Sequence, residues 1–133
     1  MEFIAQVFNH TNYKIITTVL PFNIIDKNSE VLVYGKSKGG YQREPDKKHY
    51  TKIKTYIKSN DYVFPTSIIL GIEEDKLEKI LYEKDGVSYL KFTSSEQPIF
   101  RIVDGQHRIL GIKESIEFDE NINNLPLSVN IIW

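Results

Sequence analysis

Cysteine is absent from the 133-residue sequence. The chain therefore has no disulfide framework, no thiolate zinc site and no cysteine nucleophile, which fits a reducing compartment. It contains three scattered histidines, so a catalytic zinc site is not expected. We expect a cytoplasmic protein.

Long hydrophobic runs are missing as well. The chain begins Met1-Glu2-Phe3-Ile4, without the basic and apolar regions of a signal peptide. No stretch approaches the roughly 18 apolar residues of a membrane span. The sequence therefore predicts neither secretion by a signal peptide nor a membrane partner.

An excess of charge of either sign is also missing, since the formal net charge is -1 and 26% of residues are charged. These values exclude a histone-like basic protein and a disordered polyelectrolyte. The charge is nevertheless uneven along the chain. Residues 36–58 contain eight Lys or Arg against two acidic residues, whereas residues 73–97 contain four against seven. Any affinity for a polyanion would come from the basic segment.

Three motifs with well-defined chemistry are absent. The sequence has no Gly-x-x-x-x-Gly-Lys-Ser/Thr loop, no Gly-x-Gly-x-x-Gly and no His-Glu-x-x-His. P-loop NTPases, dinucleotide-binding proteins and zincins therefore receive no support. The length and the 41% hydrophobic content suit one domain with a single core over residues 1–133.

Hydrophobic patterning predicts a mixed α/β fold of the α+β kind. Strands are predicted at residues 3–8, 13–19, 67–72, 81–84, 87–92, 99–103 and 127–133, and helices at residues 47–59 and 106–116. Asp85-Gly86 favours a tight hairpin turn. The last strand is followed by no closing turn or polar tail, so we expect the N-terminal fragment of a longer protein.

The helix at residues 47–59 is amphipathic. Asp46 can cap it, and Tyr50, Ile53 and Ile57 fall on one face. Its lysines on other faces are candidate nucleic-acid contacts or, alternatively, an ordinary solvated surface. These candidates are Lys47, Lys54 and Lys58.

The strand at residues 99–103 leads through Asp104-Gly105 directly into the helix at residues 106–116, whose spacing places Ile109, Ile112 and Ile116 on a buried face. Such a helix start presents backbone N–H groups and the positive end of the helix dipole, which together favour an anion. Gly105 permits close approach of that anion. Arg108 is unfavourable to the helix in its first turn, so its position makes more sense if it contacts a phosphate or carboxylate through two hydrogen bonds.

Other roles stay open for the charged residues at this turn. Asp104 could accept from helix N–H groups as a cap, or it could hold a metal. Arg108 could pair with Asp104 or Glu44 and be purely structural. Gln106 and His107 add donors in either case.

Residues 102–111 resemble the signature of the DGQHR-domain family. The five-residue core of that signature is matched by Asp104, Gly105, Gln106, His107 and Arg108. Residues 41–44, 52–57 and 64–68 also resemble the family, so the likeness spans residues 41–111. The family is similar to the N-terminal fold of ParB and sulfiredoxin, a small mixed sheet with flanking helices whose strand-loop-helix turn holds the phosphates of a nucleoside triphosphate.

The resemblance implies a DNA-linked role, because family members include bacterial regulators associated with DNA phosphorothioate modification and phage defence. Two departures limit what it implies. The Glu-Asn-x-x-Arg element of ParB is missing, which leaves CTP specificity unsupported. Gln106 stands where the reactive cysteine of sulfiredoxin would be, which excludes sulfiredoxin chemistry.

The resemblance further implies a nucleoside-triphosphate site, with Mg²⁺ if the nucleotide is hydrolysed. The phosphate-binding candidates are Gln42, Arg43, Gly105, Gln106, His107 and Arg108. The catalytic candidates are Asp104, Gln106 and His107, and the candidate metal ligands are Asp104 and Glu44. In these roles Gln106 would orient a water and His107 would donate to a phosphate oxygen.

Two other classes of function stay open. The first is a non-catalytic DNA-binding regulator whose turn contacts a backbone phosphate of the duplex. The second is a protein-interaction domain in which the motif is structural. The expected partners are a nucleotide and DNA, with a homo-oligomer formed through the region expected beyond residue 133.

Overall fold

A computed structural model describes residues 1–30, 47–59, 61–93 and 98–133. Within these ranges the chain forms one eight-stranded sheet and four α-helices, which confirms the predicted mixed α/β class. In chain order the elements are β1 (Glu2–His10), β2 (Tyr13–Pro21), α1 (Phe22–Asn28), β3 (Ser29–Glu30), α2 (Lys47–Lys58), β4 (Ile68–Ile72), α3 (Glu74–Ile80), β5 (Leu81–Lys84), β6 (Val87–Lys91), β7 (Phe100–Asp104), α4 (Gln106–Ser115), a 3-10 helix (Glu120–Asn124) and β8 (Pro126–Ile132).

The strand order across the sheet is β3-β7-β4-β8-β2-β1-β6-β5. The β3–β7 and β4–β8 pairs are parallel, and the other neighbours are antiparallel. Because β4 and β7 run in opposite directions, Asp104 at the end of β7 pairs with Ile69 near the start of β4. The chain just before β4 therefore lies beside the start of α4, which directly follows β7.

Both predicted hairpins are confirmed. β1 and β2 pair from Ala5 with Thr18 to His10 with Tyr13. In the β5–β6 hairpin, Asp85 and Gly86 have φ values of 54° and 79°. Two consecutive positive φ values characterise the type I′ turn, whose twist matches the twist of the flanking strands.

Two helices, α1 and α3, have no counterpart among the predicted elements. Each contains seven residues, too few for a hydrophobic periodicity to repeat over several turns. Each is nevertheless anchored by burial. Phe22 and Ile25 of α1 and Leu77 of α3 contribute to the core.

The helices contribute to the same hydrophobic cluster as one face of the sheet. This cluster includes alternate residues of the central strands, such as Leu70 of β4 and Ile131 of β8, both fully buried. Ile112 of α4 and Ile57 of α2 pack into it, as their helical spacing predicts. None of the described helices combines the length and the apolar character that a membrane crossing requires.

Several predicted features lie outside the described residues. They are the Asp46 cap and the candidate site residues Gln42, Arg43 and Glu44. Lys47 is the first residue of α2, but its side chain and that of Tyr50 are outside the description as well.

Candidate functional site

The turn between β7 and α4 is built around Gly105, whose φ and ψ of 105° and 12° place it in the left-handed region. An L-residue rarely adopts this conformation, whereas glycine does so without a steric penalty. A Cβ at this position would also lie 3.2 Å from Cγ1 of Ile68 on β4. Local conformation and close packing thus both require glycine, and the predicted strand, glycine turn and helix are confirmed.

The start of α4 carries no side-chain cap, because Gly105 itself is the N-cap residue. Asp104 therefore does not stand at the N-cap position, and its expected role as a cap stays a prediction. Asp104 is the last residue of β7, one position too early, and its side chain is exposed. A capping side chain belongs to the N-cap residue, from which it reaches the N–H groups two or three residues on. The exposed Asp104 carboxylate adds negative charge beside the turn.

Arg108 is held by Thr66, a residue just before β4. Its Nη1 donates to the main-chain carbonyl oxygen of Thr66 at 2.6 Å, and its Nη2 donates to the hydroxyl oxygen at 2.7 Å. The centre of the guanidinium also lies 5.5 Å from the ring centroid of Phe64, within the range of a cation–π contact. The contacts connect the first turn of α4 to the chain that enters β4.

Arg108 forms no ion pair in the part of the chain that the structure describes. Burial lowers the pKa of Arg108 from its usual value, and the nearby Asp104 partly opposes that effect. The ion pairs found among the described residues join Lys54, Arg101 and Lys113 to carboxylates but do not include Arg108. The alternative in which Arg108 pairs with Asp104 is therefore not observed, and Glu44 lies outside the description.

Gln106 and His107 occupy the first two positions of α4. Gln106 is buried, with 8% of its surface exposed, and His107 is half-buried. Both make contacts within the chain. Because Gln106 is buried, a ligand could reach it only in a site that is shielded from bulk water. The phosphate-binding and catalytic roles expected for Gln106 and His107 stay predictions.

Two basic side chains of α2 make contacts within the domain. Lys54 forms an ion pair of 3.4 Å with Glu117, and Lys58 lies over the ring of Phe118 at 5.2 Å. An exposed ion pair of this kind stabilises weakly and can open for another partner. The nucleic-acid role expected for Lys47, Lys54 and Lys58 therefore stays a prediction.

The expected metal site is only partly within the described residues. Among those residues, no group of three or more His, Asp or Glu side chains is arranged to hold a metal ion. Mg²⁺ commonly binds through one or two carboxylates together with substrate phosphates and waters. The exposed Asp104 carboxylate fits such a minimal role, and Glu44 lies outside the description.

Thr66 and Phe64 are contacts of the motif that spacing rules did not identify. Thr66 lies 42 positions from Arg108, so no helical or strand periodicity connects them. The one available signal was the resemblance at residues 64–68, which marked the segment without giving any residue a role.

The comparisons with known proteins concern the chain as a whole. The family described as DndB, DNA-sulfur modification-associated, matches residues 3–133. No match was found among curated proteins or among solved structures. Because the family match covers all but the first two residues, the chain belongs to the DndB family of proteins associated with DNA sulfur modification.

Proposed function

We propose that this domain binds a nucleoside triphosphate through its phosphates at the turn of residues 104–108. The observation that carries the proposal is the half-buried cation of Arg108, which donates to the neutral Thr66 and lies over the ring of Phe64 without forming an ion pair among the described residues. The likeness to the DGQHR-domain family and to the ParB and sulfiredoxin fold supports the same site. The bound nucleotide would serve a protein associated with DNA sulfur modification.

Electrostatics favours an anionic ligand at this position. Partial burial disfavours the charged guanidinium, as the direction of its pKa shift indicates. Its place in the first turn of α4 adds an unfavourable interaction with the helix dipole. A phosphate group would offset both effects, because it would accept from the guanidinium and lie at the positive end of the helix.

The other residues of the turn would complete the phosphate site. Gly105 would let a phosphate approach the backbone, and His107 would donate to a phosphate oxygen. If hydrolysis occurs, the buried Gln106 would orient the attacking water. Asp104 would hold a Mg²⁺ ion, which supplies neutralisation of phosphate charge when bound. Gln42 and Arg43 would provide a second phosphate contact.

Thermal unfolding of the wild type and Arg108→Ala, with and without millimolar ATP, CTP or GTP and Mg²⁺, tests the nucleotide site. A ligand that binds only the native state raises the melting temperature, so we expect stabilisation of the wild type by at least one nucleotide. Loss of a charge-assisted bidentate contact should weaken binding by roughly 2 to 3 kcal/mol, about 30- to 150-fold, in Arg108→Ala.

Arg101→Ala is the matched control, since Arg101 lies on β7 but pairs with Glu73 rather than with Thr66. It should bind nucleotide like the wild type. A wild type that no nucleotide stabilises would contradict the proposal. Equal weakening by both arginine variants would also contradict it.

The uneven charge favours a second candidate function, a DNA-binding module. Residues 36–58 carry eight Lys or Arg against two acidic residues, and α2 presents part of this charge. If this segment contacts the duplex, neutralising Lys47, Lys54 and Lys58 should flatten the dependence of log affinity on log salt by up to about 3 units, near 0.9 per lost contact. An affinity independent of salt would exclude that function without affecting the nucleotide site.

A further inference from the structure

The guanidinium of Arg108 is constrained on one edge and one face. Arginine has five N–H donors, and two of them are used by Thr66, which leaves three. The two oxygens of Thr66 accept from Nη1 and Nη2, the two nitrogens that form the end edge of the guanidinium. The ring of Phe64 lies against the guanidinium group. The side edge, formed by Nε–H and the second N–H of Nη2, makes no hydrogen bond within the described chain.

Thr66 is itself held in place, although it lies outside regular secondary structure. Two residues earlier, Phe64 packs edge-on against Tyr56, with ring centroids 5.7 Å apart. The Tyr56 hydroxyl accepts from the main-chain N–H of Val63 at 2.8 Å and lies 3.3 Å from the carbonyl oxygen of the same residue. On the other side, the hydroxyl of Ser67 forms a 2.7 Å hydrogen bond with that of Ser128 on β8. Thr66 is therefore a pre-positioned acceptor.

We propose that Thr66 is a positioning residue for the phosphate site, an inference that rests on the proposed nucleotide binding. By occupying the end edge of the guanidinium, Thr66 directs the side edge of Arg108 towards the ligand. Two oxygens of one phosphate group then accept from Nε and Nη2. Ligand binding needs no exchange of the Thr66 contacts, because the phosphate uses different donors of the same side chain.

The Thr66 hydroxyl fixes the rotation of the guanidinium. Without it, the single hydrogen bond to the main-chain carbonyl would remain and would let the planar group turn about that contact. A bidentate contact depends on the orientation of this plane, whereas the charge of Arg108 would be unchanged. Removal of the hydroxyl should therefore weaken phosphate binding without abolishing it.

The dissociation constants of ATP, CTP and GTP with Mg²⁺, measured for the wild type and four variants, test this role. Valine has nearly the same shape as threonine but lacks the hydroxyl, so Thr66→Val should bind the preferred nucleotide about 3- to 10-fold more weakly than the wild type. This loss is smaller than the loss of affinity expected for Arg108→Ala. Thr66→Ser restores the hydroxyl and should bind within about twofold of the wild type. Thr55→Val is the control, because the Thr55 hydroxyl bonds only the Thr51 carbonyl within α2.

A double-mutant cycle separates positioning from a general structural effect. If Thr66 acts through Arg108, Thr66→Val should cause no further loss of binding in an Arg108→Ala background. An equal loss in both backgrounds would overturn the inference. If Thr66→Val does not fold, Thr66→Ala removes the same hydroxyl and takes its place in the cycle.

The outcomes also distinguish this inference from the proposed function. A wild type that binds no nucleotide would overturn both. Binding that Arg108→Ala weakens and Thr66→Val leaves unchanged would overturn the positioning role alone. Weakening by Thr66→Val, rescue by Thr66→Ser and no further loss in the cycle would support both.

Discussion

Replacing Gly105 by alanine should destabilise the fold through two separable effects. The first is backbone strain, because φ is 105° and an L-residue in such a conformation is disfavoured by about 1 to 3 kcal/mol. The second is crowding, because the new Cβ would lie 3.2 Å from Cγ1 of Ile68, a β-branched side chain in the core. Overpacking in a core costs about 1 to 3 kcal/mol.

Taking the middle of each range and subtracting about 0.7 kcal/mol for the lower entropy of the unfolded chain, the expected net loss for Gly105→Ala is about 3 kcal/mol. Gly86→Ala is the matched control. Its φ of 79° is also left-handed, but a Cβ there would meet nothing within 4 Å. With the same strain cost and no crowding, the control should lose about 1 kcal/mol.

Urea unfolding followed by circular dichroism would provide both free energies by linear extrapolation. The difference between the two variants measures the crowding against Ile68. If Gly105→Ala is no more destabilising than Gly86→Ala, the argument that Ile68 on β4 restricts the turn is refuted. A loss at neither position would refute the strain argument as well.

Two further predictions concern the core and the edge of the sheet. Ile112→Ala should destabilise by about 2 to 5 kcal/mol in the same urea assay because Ile112 is fully buried on α4, whereas Ile116→Ala, at a half-buried position, should cost less. A hydrogen bond to Glu2 raises the pKa of Tyr82 to about 12, so Glu2→Ala should return it towards 10 in a spectrophotometric titration. Since the pKa of Tyr82 is raised in the folded state, the stability that its hydrogen bond to Glu2 contributes is complete below pH 10 and is lost as pH rises through about 12. An unchanged titration of Tyr82 in Glu2→Ala would contradict this prediction.

Features that depend on neighbouring residues could be predicted from the sequence. Asp85-Gly86 specifies a two-residue hairpin turn because both residues tolerate positive φ, and the structure has positive φ at both. The turn at Gly105 was predictable for the same reason, since glycine separates a strand-like run from a helical pattern. Ile57 and Ile112 were correctly placed in the core by helical periodicity.

Features that depend on tertiary packing could not be predicted in this way. The seven-residue helices α1 and α3 are too short to repeat a periodic pattern, so burial of residues such as Phe22 determines them. The parallel pairing of β4 with β8 joins strands that are distant in sequence. The contact between Thr66 and Arg108 exists only because β4 and β7 are antiparallel neighbours, a pairing that no local pattern encodes.

That contact changes what an Arg108 variant is expected to do in the absence of ligand. Considered from the sequence alone, a cation in the first turn of a helix opposes the dipole, so its removal should leave stability unchanged or slightly higher. In the structure Arg108 instead donates twice to Thr66 and lies against Phe64. Losing these half-exposed contacts should lower the unfolding free energy by about 1 to 2 kcal/mol. Lower stability of unliganded Arg108→Ala is therefore compatible with a phosphate site, and only the ligand-dependent part of its melting shift reports on binding.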